Sequence, residues 1–279
     1  MKGLLEGLKR GIIMQGLSSP LGRYCFREMV LYGTRVLGVV EPGRGGTELE
    51  GIPVYDTVNQ ARDGTGARIS VVSVAGSGLI DALIEAADAG VELIICISGG
   101  ERLPRLLWAT RVAEHYGSLI LGPSCGGILI PGVAKAGILP HHGIRGGRWI
   151  VVSRSASLAH TVVTAMGLGI SMWIDVGEEV LGRGIHEILK ELRKGRGPCG
   201  ILYLGAGDEM DPELADSLRG ISSRSTFAYI PGREIDPDRY RKISHALREK
   251  GFFVLEPDLE IPPDLMPDRT PRGSSRAST

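Results

Sequence analysis

The residues best suited to chemistry cluster in two glycine-rich loops near the start of the chain. Gly16-Leu17-Ser18-Ser19-Pro20-Leu21-Gly22 lies between a short apolar run and a helical pattern. Glycines there let the backbone turn tightly and approach a ligand closely. A helix that begins at such a turn offers free amides and the positive end of its dipole to a phosphate. Ser18 or Ser19 can cap that helix or donate to a phosphate oxygen. A plain glycine turn with a serine cap has the same composition. The second loop, Glu41-Pro42-Gly43-Arg44-Gly45-Gly46, follows the next strand. Arg44 can grip a phosphate with the two prongs of its guanidinium. Glu41 points elsewhere, because an acidic residue ending the second strand often bonds the ribose of NAD. These residues alone therefore leave a nicotinamide-dinucleotide site, and with it an oxidoreductase, as a competing reading.

The elements that must position these loops follow from periodicity. Short apolar runs at 11–15, 35–40, 69–74, 91–97 and 118–121 read as strands. Helical patterns at 21–32, 79–89 and 103–116 separate them, the first opened by Pro20 and the second closed by Gly90. A stretch rich in glycine and proline, 132–147, precedes a second alternation. Its strands fall at 149–153, 171–176, 200–204, 226–230 and 252–255, and its helices at 157–166, 185–194, 212–218 and 237–249. Strand and helix in alternation imply parallel sheets wrapped by helices. The expected class is α/β, with a Rossmann-like domain over 1–145, a flavodoxin-like domain over 146–261, and a disordered tail rich in proline, serine and arginine over 262–279.

The bulk numbers exclude some partners. The 279 residues are 43% hydrophobic and 23% charged, with 32 basic against 32 acidic side chains. With no net field, no nucleic acid or anionic membrane is expected as a partner, and an anion site has to be built locally. No apolar run reaches the roughly 18 residues a membrane-crossing helix needs, and the charged N-terminus is too short for a signal peptide, so the expected compartment is the cytoplasm. Cys25, Cys96, Cys125 and Cys199 are scattered and read as buried thiols, with no metal site expected.

An ordered set of segments resembles the α subunits of succinyl-CoA synthetase (succinate–CoA ligase). They are Gly11-Ile-Ile-Met-Gln-Gly16, Tyr32-Gly33-Thr34, Pro42-Gly43-Arg44-Gly45-Gly46-Thr47, Gly51-Ile-Pro-Val-Tyr-Asp-Thr-Val58, Ala86-Ala-Asp-Ala-Gly90, Gly122-Pro-Ser-Cys-Gly-Gly-Ile128, Ile130-Pro131-Gly132 and Val152-Ser153-Arg154-Ser155. The resemblance runs to about residue 205. It implies a coenzyme A-binding first domain and a flavodoxin-like second domain. It implies that Gly16, Ser18, Ser19, Gly22 and Arg44 meet the CoA phosphates and nucleotide, and that Pro42 shapes the adenosine wall. Ser98, in Ser98-Gly99-Gly100, replaces a Thr-Glu-Gly segment that faces the pantetheine arm. It further implies an acyl-CoA or small carboxylate substrate, and an ATP-grasp β-like partner that brings ATP or GTP.

The family's acid–CoA ligase reaction runs through a phosphohistidine, an orienting glutamate and helix starts that hold the phosphoryl group. Ser153-Arg154-Ser155-Ala156-Ser157 matches one such helix start, which makes Ser155 and Ser157 anion-binding candidates; Ser157 also reads as an ordinary cap. The partner loop aligns with Val176-Gly177-Glu178-Glu179, whose carboxylates oppose a phosphate. Ala206 stands where the glutamate is expected, and after Tyr229-Ile230-Pro231-Gly232 the chain passes to Asp236 and a helix with no histidine loop. His160 is the one histidine near the expected anion site and the only catalytic candidate; His186 and His245 read as surface or half-buried helix residues. The expectation is a CoA-binding α-subunit homologue without phosphohistidine turnover. The enzymatic alternative is an acyl-CoA ligase or acyl transferase that uses His160 or a partner's group.

Overall fold

The computed structural model describes residues 3–177, 181–192, 200–205, 212–219, 226–229, 245, 248–249 and 253–255. The first half begins with helix α1 (Leu4–Arg10) and strand β1 (Ile12–Gln15), followed by α2 (Pro20–Leu31) and β2 (Val36–Val40). A short hairpin, β3 (Glu48–Leu49) and β4 (Ile52–Tyr55), turns through Glu50 and Gly51, both at positive φ, as a two-residue hairpin of this hand requires. Then come α3 (Val58–Thr65), β5 (Ile69–Val72), α4 (Leu79–Asp88), β6 (Leu93–Cys96), α5 (Leu103–His115) and β7 (Leu119–Leu121). The sheet order is β3-β4-β2-β1-β5-β6-β7, parallel except for the β3–β4 hairpin. Strands β1, β5 and β6 are buried at every position, which is why they read as continuous apolar runs rather than alternating ones.

The second sheet is also seven-stranded and starts earlier than the sequence suggests. It recruits β8 (Gly127–Ile130) and β9 (Ala134–Gly137), which lie in or beside the segment expected to separate the halves. Next in the chain are β10 (Arg145–Ser153), α6 (Ala156–Ala165), β11 (Gly169–Asp175), α7 (Gly184–Leu192), β12 (Gly200–Leu204), α8 (Pro212–Arg219), β13 (Thr226–Tyr229) and β14 (Phe253–Leu255). The order is β14-β13-β12-β10-β11-β8-β9, with β8 antiparallel to both β11 and β9. Only fragments of the expected helix at 237–249 are described, and the tail at 262–279 lies outside the described residues.

Each sheet reverses its winding beside its first parallel strand. Strand β1 is flanked by β2 and β5, and β10 by β11 and β12. The loops that leave β1 and β10 therefore stand at switch points, where an open α/β sheet has a crevice at its carboxyl edge. The Gly16–Gly22 loop and the Ser153–Ser157 segment occupy those places.

One apolar cluster runs through both sheets, from Met14, Phe26 and Met29 to Ala136, Ile150, Ile174 and Ile201. A polar staple crosses the same boundary. Helix α2 ends on Gly33 at φ 86, with Gly33 N donating to Val30 O and Thr34 N to Met29 O. Thr34 Oγ1 then donates to Lys135 O and accepts from Lys135 N, both at 2.9 Å. The Lys135 side chain on β9 is wholly buried, and its Nζ donates to Glu28 Oε2 on α2 at 2.5 Å. His141 Nδ1 lies 3.3 Å from the same Nζ. The ammonium can only donate, so Nδ1 accepts and His141 is neutral here. The hydrogen bond from Lys135 lowers the Glu28 pKa. Burial first, and then the Lys135 charge, lower that of His141.

Both lowered values give stability that is present at high pH and lost as pH falls, because the unfolded chain takes up protons first. The window opens near the ordinary histidine value of 6.5 and closes through the Glu28 range. Lys135→Met should lower unfolding stability by about 2 kcal/mol at pH 8, since it strands a part-buried carboxylate. It should also flatten the loss of stability between pH 7 and 4. Urea titrations at several pH values check both; an unchanged pH profile removes the staple from the stability account.

Candidate functional site

The first loop is held by contacts that only glycine allows. Gly16 sits at φ 88, and a Cβ there would lie 2.8 Å from Val74 Cγ2 and 2.9 Å from the Ser73 carbonyl. A Cβ on Gly22 would lie 1.8 Å from the Gly16 carbonyl oxygen. The first turn of α2 thus rests directly on the loop. Ser19 caps that helix: its Oγ accepts from Gly22 N at 2.9 Å and donates to Ser73 O at 3.3 Å, while Pro20 fills the first turn. Arg23 Nη1 braces the loop from outside by donating to Leu17 O and Ser18 O at 3.2 and 2.8 Å. Leu17 N donates to Glu41 Oε2 at 2.8 Å, so the carboxylate at the end of β2 is turned onto the first loop.

The second loop is shaped by Asp56, which the sequence analysis did not single out. Its Oδ1 accepts from Gly43 N and Gly45 N, both at 2.8 Å. The two loops, α2 and the β3–β4 turn enclose a cleft of about 340 Å³. Leu17, Phe26 and Leu49 give it apolar walls, and Ser18, Arg23, Arg27, Arg44, Glu41 and Glu50 give it polar groups. Arg23 and Arg27 went unnoticed in the sequence although their spacing of four is a signal, since it places them on one side of a helix.

The expected site residues thus divide. Ser18 and Arg44 line the cleft. Gly16, Gly22 and Ser19 build its rim without lining it. Pro42 is exposed in the second loop and does not line the cleft. Ser98, just beyond β6, is buried, and its Oγ has no hydrogen-bond partner; the same is true of Ser73 beyond β5. Two orphaned hydroxyls and a glycine-only seat at one carboxyl edge fit a ligand with many polar atoms.

At the second switch point, Ser155 caps α6 by accepting from Leu158 N at 3.5 Å, and Ser155 Oγ lies 3.3 Å from Ser157 Oγ. Below them Ser153 Oγ donates to Asp175 Oδ1 at 2.5 Å and accepts from Trp173 Nε1 at 2.8 Å. Asp175 Oδ2 accepts from Gly126 N at 2.7 Å. Burial raises the Asp175 pKa against these hydrogen bonds. The aspartate is thereby committed to joining β10, β11 and the turn before β8. His160 lies one turn along α6 from Ser157, and its Nε2 donates to the His142 carbonyl at 2.7 Å. That bond places the proton on Nε2 and ties the ring to the 140s loop. His186 is buried rather than at the surface, with Nδ1 2.9 Å from Ser217 Oγ, and His245 is exposed and pairs with Glu249. Glu178, Glu179 and Ala206 lie outside the described residues.

Burial pushes the Cys25 and Cys96 thiols up to about 12, and Cys125 upward as well, so these sulfurs are held as thiols. Among the described residues no three His, Cys, Asp or Glu side chains are placed to hold a metal ion, and no helix is long and apolar enough to cross a membrane.

Gly22→Ala should cost about 2 kcal/mol or more of stability, because its methyl group meets a backbone oxygen that cannot move aside. Gly33→Ala, where an added Cβ meets nothing within 4 Å, should cost less despite its positive φ. Thermal unfolding of the two variants compares them; equal losses would mean that the α2–loop contact is not tight.

Comparison with known proteins gives a consistent result. The CoA binding domain family matches residues 9–100, which hold both loops of the cleft. The α subunit of the ADP-forming succinate–CoA ligase of Aquifex aeolicus is 33% identical over 242 residues, 84% of this chain and 79% of that protein. The malate–CoA ligase α subunit of Methylorubrum extorquens is 30% identical over 247 residues, 85% of this chain and 83% of that one. Among solved structures, the dinucleotide-forming acetyl-coenzyme A synthetase 1 of Ca. Korarchaeum cryptofilum, in complex with phosphate and ADP, aligns at a TM-score of 0.73 and 20% identity over 92% of this chain. ATP citrate lyase from Methanothrix soehngenii, in complex with citrate and coenzyme A, aligns at 0.72 and 15% identity over 89% of this chain. Likenesses at such identities show the fold alone. This chain spans 60% of the first of these longer chains and 48% of the second.

Proposed function

This chain belongs to the family of succinate–CoA ligase α subunits, and from that premise we propose that it holds coenzyme A or an acyl-CoA without phosphohistidine turnover. Coenzyme A is the cofactor of the first domain. The reading of its seat is carried by one observation: the cleft of about 340 Å³ in which Arg23, Arg27 and Arg44 surround a loop fixed by glycine contacts. Arg44 and Arg27 hold phosphate oxygens there by charge-assisted hydrogen bonds. Ser18 donates to the same oxygens, and Arg23 keeps the loop in shape through its carbonyls. Gly16, Gly22 and Ser19 set the position of the α2 amides, and Ser98 lies toward the arm of the cofactor. When bound, coenzyme A supplies a thiol that can carry an acyl group.

The absence of a phosphoryl relay is supported by changes that coincide. Ala206 stands in place of the orienting glutamate, and the stretch 230–236, where the histidine loop is expected, contains no histidine. His160 is bonded to His142 O. Ser155 and Ser157 remain as an anion seat at the start of α6. Pairing with an ATP-grasp β-like subunit, which would bring ATP or GTP and a small carboxylate, is supported by the relatives being α subunits.

Arg44→Ala should weaken CoA binding by about tenfold in calorimetry, the effect of losing one charge-assisted phosphate contact. Unchanged affinity would remove Arg44 from the seat. Incubated with γ-labelled ATP and an ATP-grasp β subunit, the chain should stay unlabelled. Acid-labile label on it would contradict the reading, and its loss in His160→Ala would identify the acceptor.

A further inference from the structure

We infer that Glu41 holds down the cleft's preference for a phosphorylated ribose, by favouring a free ribose hydroxyl and opposing a phosphate group at the same place. The inference rests on the CoA reading of the cleft.

Glu41 is half-buried just beyond β2, on the cleft wall, and an acidic residue at this place in a dinucleotide-binding fold bonds the adenosine ribose. Its backbone is fixed on both sides, with Glu41 N donating to Tyr55 O at 2.9 Å and Glu41 O accepting from Arg44 N at 3.1 Å. Its carboxylate is fixed as well, since Oε2 accepts from Leu17 N at 2.8 Å. Three guanidiniums line the same cleft, yet among the described residues none pairs with this carboxylate. On this cleft wall, among the described residues, no ion pair cancels its charge.

A carboxylate can only accept hydrogen bonds, so a ribose hydroxyl donating to Oε1 is a matched partner. A phosphate monoester carried on that ribose is a second anion with no proton to give, and it is repelled. Coenzyme A bears such a 3′-phosphate and dephospho-CoA bears a free 2′,3′-diol. Arg44, in the same loop, attracts the phosphate that Glu41 opposes. The cleft should therefore bind the two cofactors with similar affinity, and removal of the Glu41 charge should leave Arg44 to favour CoA. Discrimination of this kind comes from a repulsive group as much as from an attractive one.

The test is calorimetry of the full chain with CoA and with dephospho-CoA, for the wild type, Glu41→Gln and Glu41→Thr. Both variants should shift the ratio of affinities toward CoA by about tenfold. A loop merely loosened by loss of the Leu17 contact would weaken both ligands alike. An unchanged ratio, a shift toward dephospho-CoA, or a wild type that already prefers CoA by more than tenfold overturns the assignment while leaving the CoA reading intact. A chain that binds neither ligand in any of the three forms overturns the CoA reading itself, and this assignment with it.

Discussion

The contact on which the site depends is between the first turn of α2 and the carbonyl of Gly16. An ideal Cβ on Gly22 would be 1.8 Å from that oxygen, closer than any van der Waals contact. Gly16 is held on its other side by the Ser73 carbonyl of the neighbouring connection, 2.9 Å from where a Cβ would lie. Two backbone segments and a helix start are thus brought together with no side chain between them. This allows the helix amides to stand at the sheet's carboxyl edge, and it leaves the cleft wall to be supplied by Arg23 and Arg27 one and two turns further on.

The charges follow the same economy. A chain with 32 basic and 32 acidic groups has no overall field, so each attraction has to be local. In the cleft, arginines outnumber carboxylates by three to two. At the boundary between the sheets one lysine is buried completely and matched by Glu28 from the helix that bears the loop. A single helix, α2, therefore carries the proposed phosphate seat at one end and the anchor to the second sheet at the other.

Much of this was legible in the sequence. Buried parallel strands such as Ile12–Gln15 and Leu93–Cys96 read as short apolar runs, because both faces are covered. Ser19-Pro20 marked the start of α2, because a cap and a first-turn proline are local chemistry. The glycine loops stood out because a close approach leaves no alternative residue. What stayed hidden depends on the arrangement of distant segments. Strands β8 and β9 are short, and their place is set by the pairing of β8 with β11 and of β9 with β8, not by their own pattern. Lys135 reads as one more surface lysine until Glu28, 107 residues away, is placed beside it. Glu41 was legible as a ribose-type acid, but its hydrogen bond to Leu17 N depends on how the loops close. Arg23 and Arg27 could have been found from helical spacing alone. His160 drew attention by its position near Ser157, while the bond that engages it comes from a carbonyl 18 residues away.

The most direct measurement is a crystal structure of this chain grown with coenzyme A. The expected result is a cofactor whose phosphate oxygens accept hydrogen bonds at the start of α2 and from the guanidiniums of Arg27 and Arg44, with the Gly16–Gly22 contact unchanged. A cofactor bound away from that edge, with the cleft between the two loops left to solvent, would contradict the account.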